Sequence, residues 1–511
     1  MGNKQFVLFM VIMLNHFQDA SSQPSLSWAI NLDFDADAEV PVKLMLDPSG
    51  HSYLAINSLH DFNEQNFYYL RIDPFGSIDW TDEWIASNEY EFIEDAILDS
   101  IGNGYLCGDW LTEGYLVKID KSGGTLWEDT GGLDCKSIAS IFSGKIYATF
   151  YDDAVVLIAY DSSGAEDFAV RNDTSIVGNN AYPSQVLLDP DGNAYIIGYG
   201  LKEGDVDVFI KKFNANGVFL WDVRYSPSND WDIPDYAVID DSCNLYILCR
   251  LDQGSQGTAL AKFDSLGNLI WDRIIESSAA GNHGLIIHPN GNITRAGHGF
   301  IDNKTQYYLA QYSSSGDLIW INYIDSASIR RLGNILQGDD GSIFFACSVY
   351  EDNIGADLIS LLKYSGDGEF LWETRYEDSA YKWQAPVQLA MDTLDNIFVL
   401  AWSASESTSN DVTLLKYSLA TGIVHSIQEI VKMQINPNPF SDHTAVLIPQ
   451  SGNARLAALS LFDLSGKLLR SSNVAGKSNI ELSREGLPNG MYLLQLKQGN
   501  QIIGTAKIVI Q

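Results

Sequence analysis

The sequence predicts an all-β protein, a β-propeller with eight blades favoured and seven the alternative, followed by a small Ig-like β-sandwich. Three observations carry that prediction. Two short turn phrases alternate from residue 47 to residue 398 with a period of about fifty residues. The segments between them are β-branched and aromatic, with no helical periodicity. Composition and charge then change beyond residue 430, where a second set of short alternating strands begins.

At the N-terminus, Lys4 precedes an apolar run from Phe6 to Leu14, and the small residues Ala20, Ser21 and Ser22 follow. That run is too short to cross a bilayer but suits a secretory signal peptide, residues 1–22. No later run reaches the roughly 18 apolar residues of a membrane helix, so no transmembrane segment is expected. The whole chain carries 31 Lys and Arg against 66 Asp and Glu, a net charge of −35. Such acidity excludes a nucleic-acid partner, which would need clustered cations, and disfavours docking on anionic lipid. Cys107, Cys135, Cys243, Cys249 and Cys347 are widely spaced without a CxxC pair. They read as small buried hydrophobes, with one disulfide left open.

The first phrase, Asp-x-x-Gly-Asn-x-Tyr, runs Asp47–Tyr53, Asp99–Tyr105, Asp189–Tyr195, Asp240–Tyr246 and Asp392–Phe398 with variations. Degenerate copies end at Tyr147, Thr294 and Phe344. The second phrase, Asp/Asn/Ser-x-x-Gly-x-x-x-Trp, ends at Trp80, Trp127, Phe168, Trp221, Trp271, Trp320 and Trp372. Each phrase joins two strands through an Asx-type turn, so one period supplies four strands, the content of a propeller blade. Seven blades result if the copy at Tyr147 is incomplete. The last unit, Thr413 to Val424, reaches Gly422 but has Ser426 where Trp is expected, whereas Trp28 stands at the front without a phrase. Ring closure by Ala29–Leu32 pairing with the final blade is therefore expected within a propeller spanning 23–431. These phrases resemble the bacterial β-propeller repeat family, which implies architecture but no single function. The second phrase also looks like the Asp-box of sialidases, but its spacings are each one residue longer, and sialidase activity is not carried over.

Residues 434–511 hold seven Lys and Arg against four Asp and Glu, leaving a net −38 in residues 24–433. The change is marked by Asn436-Pro437-Asn438-Pro439-Phe440. Strands are expected at 457–463, 468–470, 480–482, 491–497 and 506–510. Asn436, Pro437, Asn438 and Pro439, the segment Leu461–Lys467 with Gly466, Leu487–Tyr492 with Gly490 and Tyr492, and the tail Lys507–Ile510 resemble the type A C-terminal sorting domain of the type IX (Por) secretion system. That resemblance assigns 432–511 to sorting. It implies passage through the periplasm to the surface or exterior of a Gram-negative bacterium, with the secretion machinery as partner.

Chemistry is harder to read. Asp189, Asp191 and Asn193 offer oxygens at alternating positions, a candidate calcium loop, although most copies of the phrase lose a carboxylate. Asp230, Asp232 and Asp235 around Trp231 read as a solvated acidic connection between blades, with a sugar-binding cleft as the alternative. His283, His288 and His298 fall in one repeat, with His288 at an exposed turn position. No catalytic residue is nominated, and no cofactor fingerprint is present. The favoured reading is a non-catalytic binding or adhesion protein for a carbohydrate or a surface protein. The alternative is a polysaccharide-degrading hydrolase or lyase with acids at the propeller channel.

Overall fold

The computed structural model describes residues 23–418 and 431–511, apart from short internal segments of which 173–180 and 448–456 are the longest. The expected signal peptide, and the segment holding Gly422 and Ser426, lie outside the described residues. The chain divides into two compact units, Met1–Ala420 and Thr421–Gln511. Among the described residues every regular element is a strand.

The repeated phrases fold as local chemistry dictates. In Asp264-Ser265-Leu266-Gly267, the Asp264 carboxylate accepts the amides of Leu266 (2.9 Å) and Asn268 (2.8 Å). The same pair of acceptor bonds recurs at Asp47, Asp73, Asp99, Asp120, Asp161 and Asp240. A carboxylate that satisfies two amides fixes the reversal without any other partner.

Eight four-stranded antiparallel sheets result. They are numbered here as blades 1–8, covering 38–85, 91–129, 134–172, 181–225, 231–276, 278–324, 329–376 and 383–418. The degenerate copy at Tyr147 builds a complete blade, with Tyr147 fully buried, so the count is eight and the seven-bladed alternative falls. Blade 8 takes only three strands from its own segment; Ser25–Leu32 adds the fourth, pairing antiparallel with Asn410–Ser418. Leu32 thereby joins Leu44, Ile56, Leu400 and Leu414 in one core between blades 8 and 1. A closed ring leaves only short, protected sheet edges.

Adjacent blades are fastened by the Trp phrase. Trp28, Trp80, Trp221 and Trp271 donate their indole N–H to the backbone carbonyls of Pro74, Lys121, Ser265 and Ser314 in the turn of the following blade, at 3.0–3.2 Å. Each ring lies flat on that turn's glycine. At Gly267, with φ of +84°, an added Cβ would stand 2.9 Å from Trp221. The phrase needs glycine there both for its backbone and for the ring above it.

Residues 431–511 form a five-stranded and a three-stranded sheet. Between them Phe440, Val446, Leu461, Tyr492, Leu494, Ile508 and Ile510 make a separate core.

Candidate functional site

The first strand of every blade lines the axis, because side chains on these strands bond from blade to blade around the ring. The repeated link is an acceptor on one blade receiving a backbone amide of the next: Asp95 from Ile138, Ser137 from Val186, Gln185 from Ala237, Asn334 from Leu389 and Gln388 from Leu44. All eight axial strands also break register at one shared level, and those of blades 6 and 7 break it a second time nearer their starts. The extra residue is Val42, Glu94, Lys136, Ser184, Asp235, His283, Gly333 or Val387, with Asn334 sharing the break in blade 7. A β-bulge re-aims the side chain that it inserts and recurs beside functional sites. Here seven of these residues, all but Val42, line two cavities at the axis.

The smaller cavity, about 270 Å³, is bounded by blades 1–5. Its charges are mutually committed. Lys136 binds Glu94 (3.0 Å) and Asp109 (2.8 Å), and Lys43 binds Asp95 (2.8 Å). Asp235 accepts from Asn282 (2.8 Å), and burial raises its carboxyl above the ordinary range.

The larger cavity, about 510 Å³, lies on the side of blades 5–8, where the belt of polar links is interrupted. Gly284 of blade 6 packs directly on Ile335 of blade 7, where an added Cβ would stand 2.7 Å away. The walls include Tyr236, His283, His298, Tyr307, Arg331 and Trp402. His283 Nε2 and His298 Nδ1 share a hydrogen bond of 2.7 Å. Burial, reinforced by the neighbouring His298, pushes His283 down to about 4, and burial lowers His298 as well. Both rings are therefore neutral at pH 7, one donating to the other. Tyr307 stands over the pair and donates its hydroxyl to the Arg330 carbonyl (2.9 Å). The Arg331 guanidinium stacks 4.9 Å above the Trp402 ring.

The structure thus unites two of the three histidines singled out in the sequence and separates the third. His288 is buried rather than exposed. Its ring bonds to Thr294 (2.7 Å) and Gln337 (2.7 Å), which fill both nitrogens and fix it as a core residue. The segment read as an acidic connection is instead the axial strand Trp231–Ile239 of blade 5. Asp232 is fully buried there, held by Ser228 (2.6 Å), and burial raises its pKa to about 6. Asp235 is that strand's bulge residue, while Asp230 lies outside the described residues. In the candidate calcium loop, Asp189 accepts the amides of Asp191 (3.1 Å) and Asn193 (2.9 Å) and the Asn193 side-chain amide (2.9 Å). Lys212 stands 3.3 Å from its second oxygen.

Arg331, Tyr307, Trp402 and the bulges escape a sequence reading based on the turn phrases. A signal was nevertheless present. Pro41, Pro183, Pro234 and Pro386 each stand immediately before a bulge residue. Proline is tolerated in a strand at an edge or a bulge, and these axial strands are both.

In the C-terminal unit, Asn438 donates its side-chain amide to the Lys507 carbonyl (2.8 Å) and accepts the Val509 amide (2.8 Å). Phe440 continues the clamp on the final strand through Val509 and Gln511. Tyr492 donates to the Pro488 carbonyl (2.8 Å). Asn436 pairs through its backbone with Ala445, and Gly466 lies outside the described residues. The Asn-Pro-Asn-Pro segment and the chain terminus are therefore one structural element. Residues 434–511 match the family model of a secretion system C-terminal sorting domain. The C-terminal module is a sorting domain. It implies interaction with the secretion machinery and export to the cell surface or extracellular space, and no helix of the described residues is long and apolar enough to cross a membrane.

No curated protein matches the chain. Among solved structures, Sqt1 of Chaetomium thermophilum is 8% identical, with 76% of this chain and 99% of that one covered at a TM-score of 0.50. PorZ, described as an essential bacterial surface component of the type-IX secretion system of Porphyromonas gingivalis, is 10% identical over 92% of this chain and 86% of its own at a TM-score of 0.33. An inactive virginiamycin B lyase from Staphylococcus aureus is 13% identical over 76% and 98% at 0.40. At such identities the first likeness bears on fold alone, and the other two carry no further argument.

Proposed function

We propose that the exported propeller is a non-catalytic binding or adhesion protein that takes its ligand at the axial channel. The observation that carries this reading is the contrast between scaffold and channel. Among the described residues seven junctions between blades repeat the same ring-on-glycine contact, yet the residues at the shared bulge level all differ except for two valines, and the two cavities differ in size and charge. A uniform lining would serve only to fill the axis, whereas an asymmetric one selects a shape.

The polysaccharide hydrolase or lyase reading has the His283–His298 pair, Tyr307 and Arg331 in its favour. Against hydrolysis by paired acids, no Asp or Glu is among the residues lining the larger cavity, and those of the smaller one are held by Lys43, Lys136 and Asn282. The test is to apply the exported chain to a polysaccharide array with calcium present. Retention without release of soluble fragments is expected. Fragments accumulating with time would overturn the reading in favour of an enzyme.

A further inference from the structure

The propeller segment carries a net charge of −38 and repels anions at long range, so any cation left free at its axis stands out. Arg71, Arg224, Arg250, Arg273, Arg330 and Arg375 each have a carboxylate within 4 Å. Arg330 illustrates the difference from its neighbour: it pairs with Asp357 (3.3 Å) and stacks on Tyr350 (4.0 Å). Arg331 has no ion pair within 4 Å among the described residues, although its side chain is exposed at the larger cavity. The Trp402 ring beneath it restrains the guanidinium, so little freedom remains to be lost when a ligand arrives.

We propose that the larger cavity takes a carboxylate-bearing ligand, with the planar fork of Arg331 receiving the carboxylate. The inference rests on the binding role proposed above and names its ligand class. One guanidinium matches one carboxylate in two parallel hydrogen bonds. A phosphate or sulfate dianion would need a second cation, and the other walls do not supply one: the two histidines form an uncharged hydrogen-bonded pair, and Arg330 is held by Asp357. A volume of about 510 Å³ accommodates one or two sugar units or a short peptide end. A uronate of an acidic polysaccharide and the free C-terminus of a peptide present the same group.

Two matched pairs of probes test this by titration calorimetry on the exported full chain. The first is trigalacturonate against its neutral galactose counterpart. The second is an N-acetylated tripeptide with a free carboxylate against its C-terminal amide. The acidic member of one pair is expected to bind at least tenfold more tightly, and the pair that shows this identifies the source. Arg331→Gln should abolish the difference. Arg331→Lys, which keeps the charge without the fork, should restore only part of it. Equal binding of acidic and neutral partners would overturn the carboxylate inference and leave the binding reading standing, as would a preference untouched by Arg331→Gln. Absence of binding in both pairs would also overturn the inference. Breakdown of a probe during the titration would instead overturn the non-catalytic reading. Because Arg331 is exposed, both variants should fold, and unchanged thermal unfolding would verify that.

Discussion

Trp28→Ala is expected to lower the unfolding free energy of the propeller by about 3 kcal/mol, the scale for truncating a packed aromatic in a core. Trp28 sits on the strand that, among the described residues, joins the two ends of the propeller segment. Its ring packs on Phe398 of blade 8 (5.9 Å between centroids), and its indole N–H reaches Pro74 of blade 1. Removing it therefore weakens both halves of the closure and leaves the Pro74 carbonyl without that donor. Lys416, which also donates to Pro74 (3.2 Å), preserves part of the link. Denaturant unfolding of the exported chain measures the effect. A change below about 1 kcal/mol would mean that the ring is held shut by other contacts.

Deleting residues 434–511 is expected to remove the protein from the cell surface and medium of a host carrying the type IX exporter, a loss of at least tenfold by fractionation. The propeller should accumulate in the periplasm instead. Asn438→Ala should produce a partial version of the same defect. Asn438 makes both bonds that tie the Asn-Pro-Asn-Pro segment to Lys507 and Val509 on the last strand. Each such bond is worth on the order of 1 kcal/mol. Truncated protein in the medium at normal yield would show that export does not depend on the sorting domain.

Both predictions concern features that the sequence displays openly, for a physical reason. Turn phrases and strand periodicity recur from blade to blade, and the ring-on-glycine contact recurs at seven junctions among the described residues, so each copy supports the reading of the others. The unpaired Trp28 already implied the closure, and it now stands opposite Lys416. The channel is different in kind. The bulge residues follow no repeat, the meaning of each depends on neighbours one or several blades away, and their only local mark is a proline before four of the eight. His288 shows the converse error. It occupies a turn position that is exposed in an isolated hairpin, but blade 7 brings Gln337 over it and buries it. Asp232 and Asp235 were legible as acids but not as members of a strand, because Pro234 between them signals a break in any reading that does not place the strand at a sheet edge.

Under the binding role proposed above, ligand recognition belongs to the asymmetric axis and not to the apolar side chains exposed elsewhere on the blades. The most direct test measures binding of the array-selected ligand to His283→Asn and, separately, to Phe75→Ser and Leu266→Ser. His283 is an axial bulge residue, whereas Phe75 and Leu266 lie in the turns after the third strands of blades 1 and 5 and are 83% and 72% exposed. At least a tenfold loss of affinity is expected for His283→Asn and less than a twofold change for the other two. Loss of binding on substituting Phe75 or Leu266, with His283→Asn unaffected, would contradict it.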